Sequence, residues 1–177
     1  MALTWGWIDM VDIKEVPEFY QGYIRALGEG ELVPLLLKTG DEFITFCRRL
    51  TEPQGHYKYA EDKWSIKDII LHVTDAERIF AYRALRFARN DKTEISGFEQ
   101  NDYVLEANAD SRTIHNLLSE FTNVRAATLD MFSSFSEKVR KRTGVSNGVE
   151  MSVETLGYII SGHLMHHLNI IHERYTK

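Results

Sequence analysis

Three histidines with helical spacing are the residues of this sequence best suited to chemistry. His163 and His167 form a His-x-x-x-His pair, and His72 lies in an earlier amphipathic segment. Residues four apart on a helix share one face, so the pair would present two imidazoles side by side. A third imidazole from a facing helix would complete a three-nitrogen metal site. Such a site keeps a position open for water or substrate, as metal catalysis requires.

A helical wheel places the pair on the apolar side of its segment. Leu156 and Ile170 fall within about 20° of His163 at 100° per residue. His167 falls at about 40°, whereas His172 lies on the opposite side. His163 and His167 are therefore predicted to face the interior of the protein, and His172 to face outward.

His72 is also predicted to face inward, because Ala76 and Ile79 share its side of the helix. A lone histidine on an apolar face is usually a core residue whose ring nitrogens are hydrogen-bonded. Three converging histidines would be harder to satisfy, since each unpaired buried polar group costs about 1–3 kcal/mol. A divalent ion would bind one nitrogen of each ring, and imidazole suits Zn, Ni, Fe or Cu. Spacing alone leaves the metal site and the structural role equally open.

Four long amphipathic segments must position these histidines. They cover residues 30–50, 65–87, 111–135 and 152–174, and a shorter segment precedes them at 18–27. Apolar residues recur in each segment with the period of a helix. The pattern predicts an all-α fold, an antiparallel four-helix bundle with a short additional N-terminal helix, in one domain over residues 1–177. No strand pair is predicted.

The segment that carries His72 has the clearest start signal. Ser65 is a good N-cap, and Asp68 three residues later resembles the second half of a capping box. After this helix comes a polar connection over residues 90–110, and a connection of such length is often functional. The basic residues at 138–142 and the stretch 144–148 are interpreted as a solvated linker.

Composition narrows the classes of function. The 177 residues are 44% hydrophobic with a net charge of -5, and no sustained basic stripe indicates a nucleic-acid partner. No apolar run approaches the ~18 residues of a membrane span, and the N-terminus does not resemble a signal peptide. Cys47 is the single cysteine, in an apolar run that favours a buried thiol over a nucleophile. We expect a cytoplasmic protein with no membrane partner.

Two stretches, residues 63–78 around His72 and residues 155–171 around the histidine pair, resemble the DinB/YfiT-like superfamily. The resemblance implies a four-helix bundle whose metal ligands fall on His72, His163 and His167, with zinc or nickel bound at one end of the interior. It also implies a hydrolase or an S-transferase that uses a low-molecular-weight thiol. Leu168 and Asn169 depart from the sequence that several members carry there.

Further residues near the histidines have two interpretations each. Asp75 is a candidate for a general base or for a hydrogen-bond partner of a ligand imidazole, although a solvated edge is the simpler expectation. His166 is a candidate for a fourth ligand or an outer-shell base. Asp68 is interpreted as a helix-capping carboxylate. Glu77 lies about 140° from His72, so a packing or ion-pair role is expected. Arg83 shares the face of His72 and could bind an anionic part of a substrate, but a surface ion pair is the simpler expectation.

The sequence therefore favours a metal-dependent enzyme that acts on a small molecule, either by hydrolysis or by thiol transfer. The alternative is a non-catalytic binding or stress-response protein that uses the metal for stability. A homodimer formed through a free helix face is a further possibility. No nucleic-acid partner is expected.

Overall fold

The computed structural model describes residues 11–175. Its four long helices are α2 (Leu32–Cys47), α4 (Ile66–Ala88), α6 (Ile114–Ser133) and α8 (Val153–Arg174). The short helices are α1 (Glu18–Arg25), α3 (Glu52–Gly55), α5 (Gln100–Ala107) and α7 (Glu137–Arg140), with 3-10 turns at Ile13–Glu15 and Ala109–Ser111. The predicted bundle and its additional N-terminal helix are confirmed. Among residues 11–175, every helix is too short or too polar to span a membrane.

Each long helix packs against two others, because α8 contacts α4 and α2, and α6 contacts the same two helices. Helix α8 runs antiparallel to α4, and α2 runs antiparallel to α6. The pair α2 and α8 is parallel, because Leu32 lies beside Gly157 at their starts and Phe46 beside His172 at their ends. Tyr175 at the end of α8 donates to the carbonyl of Trp64 before α4, at 2.8 Å. Phe43 near the end of α2 packs on Phe121 of α6, with ring centres 4.9 Å apart. Residues at the start of α4 therefore lie beside the second half of α8, where the histidine pair lies.

A buried ion pair crosses the bundle. Glu77 of α4 accepts hydrogen bonds from Nε and Nη2 of Arg125 of α6 at 2.8 and 2.7 Å, and both side chains are almost fully buried. Arg125 Nη1 also donates to the carbonyl of Leu36 at 2.6 Å and to Thr39 Oγ1 at 3.2 Å. The ion-pair interpretation of Glu77 is confirmed. Because the guanidinium has partners on α2 and α4, this pair sets the relative position of three helices.

The capping box at the start of α4 forms as predicted. Ser65 Oγ accepts from the Asp68 amide at 3.1 Å, and the Asp68 carboxylate accepts from the Ser65 amide at 2.9 Å. A cap of this kind stabilises a helix by about 1 kcal/mol. It fixes the first turn of α4, and therefore the direction from which His72 enters the interior.

The expectation of no strand pair was wrong. Strands β1 (Thr143–Ser146) and β2 (Val149–Ser152) form an antiparallel hairpin whose first strand and turn occupy the segment interpreted as a solvated linker. Its two-residue turn is Asn147-Gly148, with φ of 54° and 71°. Asn-Gly is the pair that tolerates left-handed backbone at both positions, which is the geometry of a tight hairpin turn. The helix α7 occupies part of the basic stretch before β1.

The long connection between α4 and α6 is held against this hairpin. Ile95 donates to the carbonyl of Val145 at 3.1 Å, and Asn147 donates to the carbonyl of Ile95 at 2.8 Å. Gly97 lies so close that a β-carbon there would be 2.4 Å from Asn147 Oδ1. The segment from Ile95 to Gly97 is therefore fixed beside the bundle, and α5 follows it.

Candidate metal centre

The structure brings together the three histidines that the sequence singled out. His163 Nε2 lies 3.1 Å from His72 Nε2 and 3.2 Å from His167 Nε2. One nitrogen of each ring lies within 4.8 Å of the other two. His72 and His163 are buried and His167 is partly buried. The predicted inward orientation of all three is confirmed, and His172 is exposed as expected.

The spacing of the nitrogens fits a divalent ion. Two ligands at 2.0–2.1 Å from a tetrahedral metal are about 3.3 Å apart, close to the observed separations. Hydrogen bonds alone cannot satisfy this arrangement. An imidazole nitrogen carries either one proton or one lone pair, so His163 Nε2 can make only one good hydrogen bond to its two neighbours. A metal ion would accept a lone pair from each ring. The three facing nitrogens would then all have a partner, and none would need a proton from its neighbour.

Burial keeps these rings neutral. Loss of hydration lowers the pKa of His72 to about 4. Burial, and then the positive charge that His72 and His166 would carry, lowers the pKa of His163 to about 3. Burial, and then the positive charge that His163, His72 and His166 would carry, holds the pKa of His167 well below its usual value. Neutral imidazole is the form that binds metals, so near neutral pH a metal ion could bind these three nitrogens without displacing a proton.

Aromatic side chains hold the rings in place. Trp64 lies against His72, with ring centres 4.7 Å apart, and is stacked on His167 at 6.2 Å. Tyr23 of α1 and Phe80 of α4 meet His163 edge to face, at 5.4 and 6.0 Å. Trp64 directly precedes the capping box, so the same local structure that starts α4 also positions this indole. The surrounding rings limit the access of water to the nitrogens.

A contact between α1 and α8 determines where Tyr23 lies. A β-carbon at Gly162 would be 2.4 Å from the carbonyl oxygen of Tyr23, so only glycine allows this approach. The absence of a side chain at this position therefore lets α1 pack directly beside His163. Sequence reasoning predicted helix α1 but did not place it at the site.

A cavity of about 360 Å³ opens onto His72 and His163. It is lined by residues of α1, of α4 and of the connection that follows α4, together with the hairpin turn: Phe19, Tyr20, Tyr23, Ala76, Phe80, Arg83, Gly97, Phe98, Glu99, Gln100, Asn101 and Asn147. The prediction that the long connection is functional gains support from this lining. The tyrosines of α1 and the hairpin residue were missed; Asn147-Gly148 was the local signal that could have identified the turn.

The remaining candidates lie outside the histidine group. His166 is exposed, with its ring 5.2 Å from that of His167, and partial burial lowers its pKa while Glu173 opposes this. Asp75 accepts from Arg78 at 3.1 Å, and partial burial raises the pKa of its carboxyl. Within residues 11–175, the group of side chains spaced to bind a metal consists of His72, His163 and His167, and it includes neither His166 nor Asp75. Asp68 has the capping role predicted for it.

The expected surface ion pair of Arg83 was wrong. Its side chain is only 3% exposed, and no carboxylate of residues 11–175 lies within ion-pair distance of it. It shares the cavity with His72 and His163 instead. The helix wheel placed Arg83 on the correct face, but the segment that covers it comes from the connection after α4.

The fold and the site define a helical bundle with a three-histidine centre at the edge of a cavity. Residues 35–171 match the model of the DinB superfamily, and the chain belongs to that superfamily. The resemblance found in the two histidine stretches is thereby confirmed. The cavity also uses α1, which precedes the matched residues, so part of its lining comes from outside the family region.

The structure is similar to that of YfiT from Bacillus subtilis, described as a probable metal-dependent hydrolase with an unusual four-helix bundle topology. The TM-score is 0.72 at 12% identity, with 80% of this chain and 82% of that chain covered. At this identity the likeness shows the shared fold. A search of curated protein sequences found no match.

Proposed function

We propose that this protein is a metal-dependent enzyme that binds one divalent ion, zinc or nickel, through His72, His163 and His167. The observation that carries the proposal is the convergence of three neutral imidazole nitrogens, two on buried side chains and one on a partly buried side chain, beside a cavity. Three neutral ligands add no negative charge to the ion, and they leave coordination positions open. Zinc and nickel both accept imidazole nitrogen, and the chain offers no thiolate at the site that would favour a softer ion.

Hydrolysis of a small molecule is the reaction we propose first. When bound, a divalent ion would supply the positive charge that polarises a substrate carbonyl and acidifies water. Trp64, Tyr23 and Phe80 would keep bulk water away from the reacting atoms, and the cavity would hold the substrate beside His72 and His163. The description of YfiT as a probable metal-dependent hydrolase, in a protein of the same fold, supports this choice.

His166 is our proposal for a proton-accepting group. Its ring lies 5.2 Å from that of His167 and 5.1 Å from that of Tyr23, at the exposed side of the site. Burial lowers the pKa of His166, which favours the neutral form that a general base needs. Asp75 is a weaker candidate because its carboxylate is engaged by Arg78.

Metal analysis of protein purified without an affinity tag tests the proposal. We expect about one zinc or nickel ion per chain, and loss of that ion in His163→Ala. His115→Ala is the control, because His115 is exposed on α6 and lies outside the histidine group. Unchanged metal content and unchanged stability in His163→Ala would contradict the metal site.

An activity panel then separates the alternatives. Esters and amides test hydrolysis, and a generic electrophile with several cellular thiols tests the S-transferase that the family resemblance implies. Turnover that needs the metal with either set identifies the enzyme. Metal binding without any turnover would support the non-catalytic, metal-stabilised protein. The cytoplasmic location and the homodimer stay predictions from the sequence.

A further inference from the structure

Arg83 is a buried cation without a carboxylate partner in the described part of the chain. Its side chain is 3% exposed, and Nε has no hydrogen-bond partner within residues 11–175. Nη2 donates to the carbonyl of Ser96 at 3.5 Å, the limit of a hydrogen bond, and the Tyr20 hydroxyl interacts with the guanidinium. A buried charge without an ionic partner is costly, so proteins seldom keep one without a use.

The surroundings of Arg83 stabilise its positive charge only weakly. The guanidinium carbon lies 5.7 Å from the centre of the Phe80 ring and 5.9 Å from that of Phe98. Cation–π contacts of this kind contribute about 0.5–2 kcal/mol, much less than an ion pair in a buried site. Burial accordingly lowers the pKa of the guanidinium, although the group stays charged because its usual pKa is far above 7.

Other polar groups of the cavity do not neutralise Arg83. Glu99 lines the same cavity, but its carboxylate is exposed and forms no ion pair with Arg83; its Oε1 accepts from the amide and the side chain of Asn101, at 3.0 and 3.1 Å. Gln100 and Asn147 are uncharged. The cavity therefore contains a charged donor group that is available to a ligand.

Arg83 and the histidine centre are within reach of one small molecule. The guanidinium carbon is 5.7 Å from the Phe80 ring centre, which is 6.0 Å from the His163 ring centre, so the two groups are at most about 12 Å apart. Both line one cavity of about 360 Å³, within the usual range of sites for small ligands. Tyr20, Tyr23 and Phe80 supply apolar and aromatic walls between them.

We infer that the substrate of this site is a small organic anion, whose carboxylate or phosphate group is bound by Arg83 while its reacting group lies beside His72 and His163. A guanidinium presents a planar set of donors that matches the oxygens of either group. The bound anion would supply the ionic partner that Arg83 lacks. The inference rests on the proposed function in treating this cavity as the substrate site, and it assigns Arg83 to substrate binding and specificity.

Ligand binding to the metal-free protein tests this inference. Benzoate, phenyl phosphate and the neutral benzamide would be titrated into protein kept in chelator, with binding followed by protein NMR. We expect benzoate or phenyl phosphate to bind at least about tenfold more tightly than benzamide, and Arg83→Gln to remove that preference. The two anions separate a carboxylate site from a phosphate site.

Two variants make the result specific. Arg89→Gln removes the same charge from the end of α4, at an exposed position outside the cavity, and should bind the anions as the natural protein does. Arg83→Lys keeps the charge but loses the planar donors, so an intermediate affinity is expected. If Arg83→Gln does not fold, Arg83→Lys carries the comparison. Equal binding of all three probes, no binding of any, or anion binding that is unchanged in both Arg83 variants would overturn the inference.

The experiment is independent of the metal proposal. His163→Ala should still prefer the anions if Arg83 binds them, whatever the metal analysis shows. Conversely, a full complement of metal in Arg83→Gln, together with no anion preference in the natural protein, would refute the role of Arg83 alone.

Discussion

Acidifying the metal-free protein is expected to destabilise it, because the folded protein keeps its buried histidines neutral whereas the unfolded chain lets them bind protons. In the unfolded chain a histidine has a pKa of about 6.5. Burial lowers the pKa to about 4 for His72 and to about 3 for His163. Between these values the unfolded chain binds more protons than the folded chain. Above about pH 6.5 the histidines are neutral in both states and do not change the free energy of unfolding. That free energy falls as the pH drops from about 6.5 toward the pKa values of the histidines in the folded protein.

The size of the effect follows from these pKa values. At pH 5 each of the two histidines is almost fully protonated in the unfolded chain and neutral in the folded one, a difference of about 2 kcal/mol per residue. The pair therefore removes about 4 kcal/mol, and His167 acts in the same direction. A loss of this size is a large part of the roughly 5–15 kcal/mol that stabilises a typical domain.

Urea unfolding in chelator, at pH 7.5 and pH 5, measures this loss. The double variant His72→Gln/His163→Gln provides the comparison, because carboxyl groups such as Asp75 titrate in both proteins and cancel in the difference. We expect the natural protein to lose about 4 kcal/mol more than the variant between the two pH values. In a separate measurement without chelator, added zinc at pH 6 should raise the unfolding midpoint of the natural protein only. Equal pH dependence in the two proteins would refute the reasoning.

Two further predictions concern the framework of the site. Arg125→Met leaves the buried carboxylate of Glu77 unpaired and should destabilise the protein by about 3–5 kcal/mol in urea unfolding; the double change with Glu77→Leu should recover part of that loss, and purely additive effects would contradict the pairing. Gly162→Ala places a β-carbon 2.4 Å from the Tyr23 carbonyl oxygen, so a loss of about 1–3 kcal/mol is expected in the same assay, together with weaker metal binding. The exposed Gly22 has open space around it, so Gly22→Ala should cost nothing, and an equal loss in both variants would argue against the close contact.

Local features of the sequence were enough to predict the four long helices, α1 and the orientation of the three histidines, but not the short helices α3, α5 and α7. The period of apolar residues is set by helix geometry, so the inward face of α8 follows from the chain alone. The cap formed by Ser65 and Asp68 is equally local, because its two hydrogen bonds join residues three apart. The hairpin at Asn147-Gly148 also had a local signal, but the basic residues before it favoured a solvated linker.

The identity of the third histidine came from family resemblance, since spacing within one helix cannot show which helices meet. That His72 lies 3.1 Å from His163 depends on the antiparallel packing of α4 on α8. The burial of Arg83 was not predictable for the same reason. The sequence showed which face of α4 carries Arg83. The segment that covers it, from Ile95 to Phe98, belongs to the connection after α4 and is held in place by the hairpin.

The sequence by itself determined which residues could bind a metal and which side of each helix they occupy, because periodicity and capping act over a few residues. Only the tertiary structure decided that the three nitrogens converge, that α1 reaches them past Gly162, and that Arg83 shares their cavity. Those relations join segments far apart in the chain. They are set by the packing of whole helices, which depends on the shape of every buried surface at once.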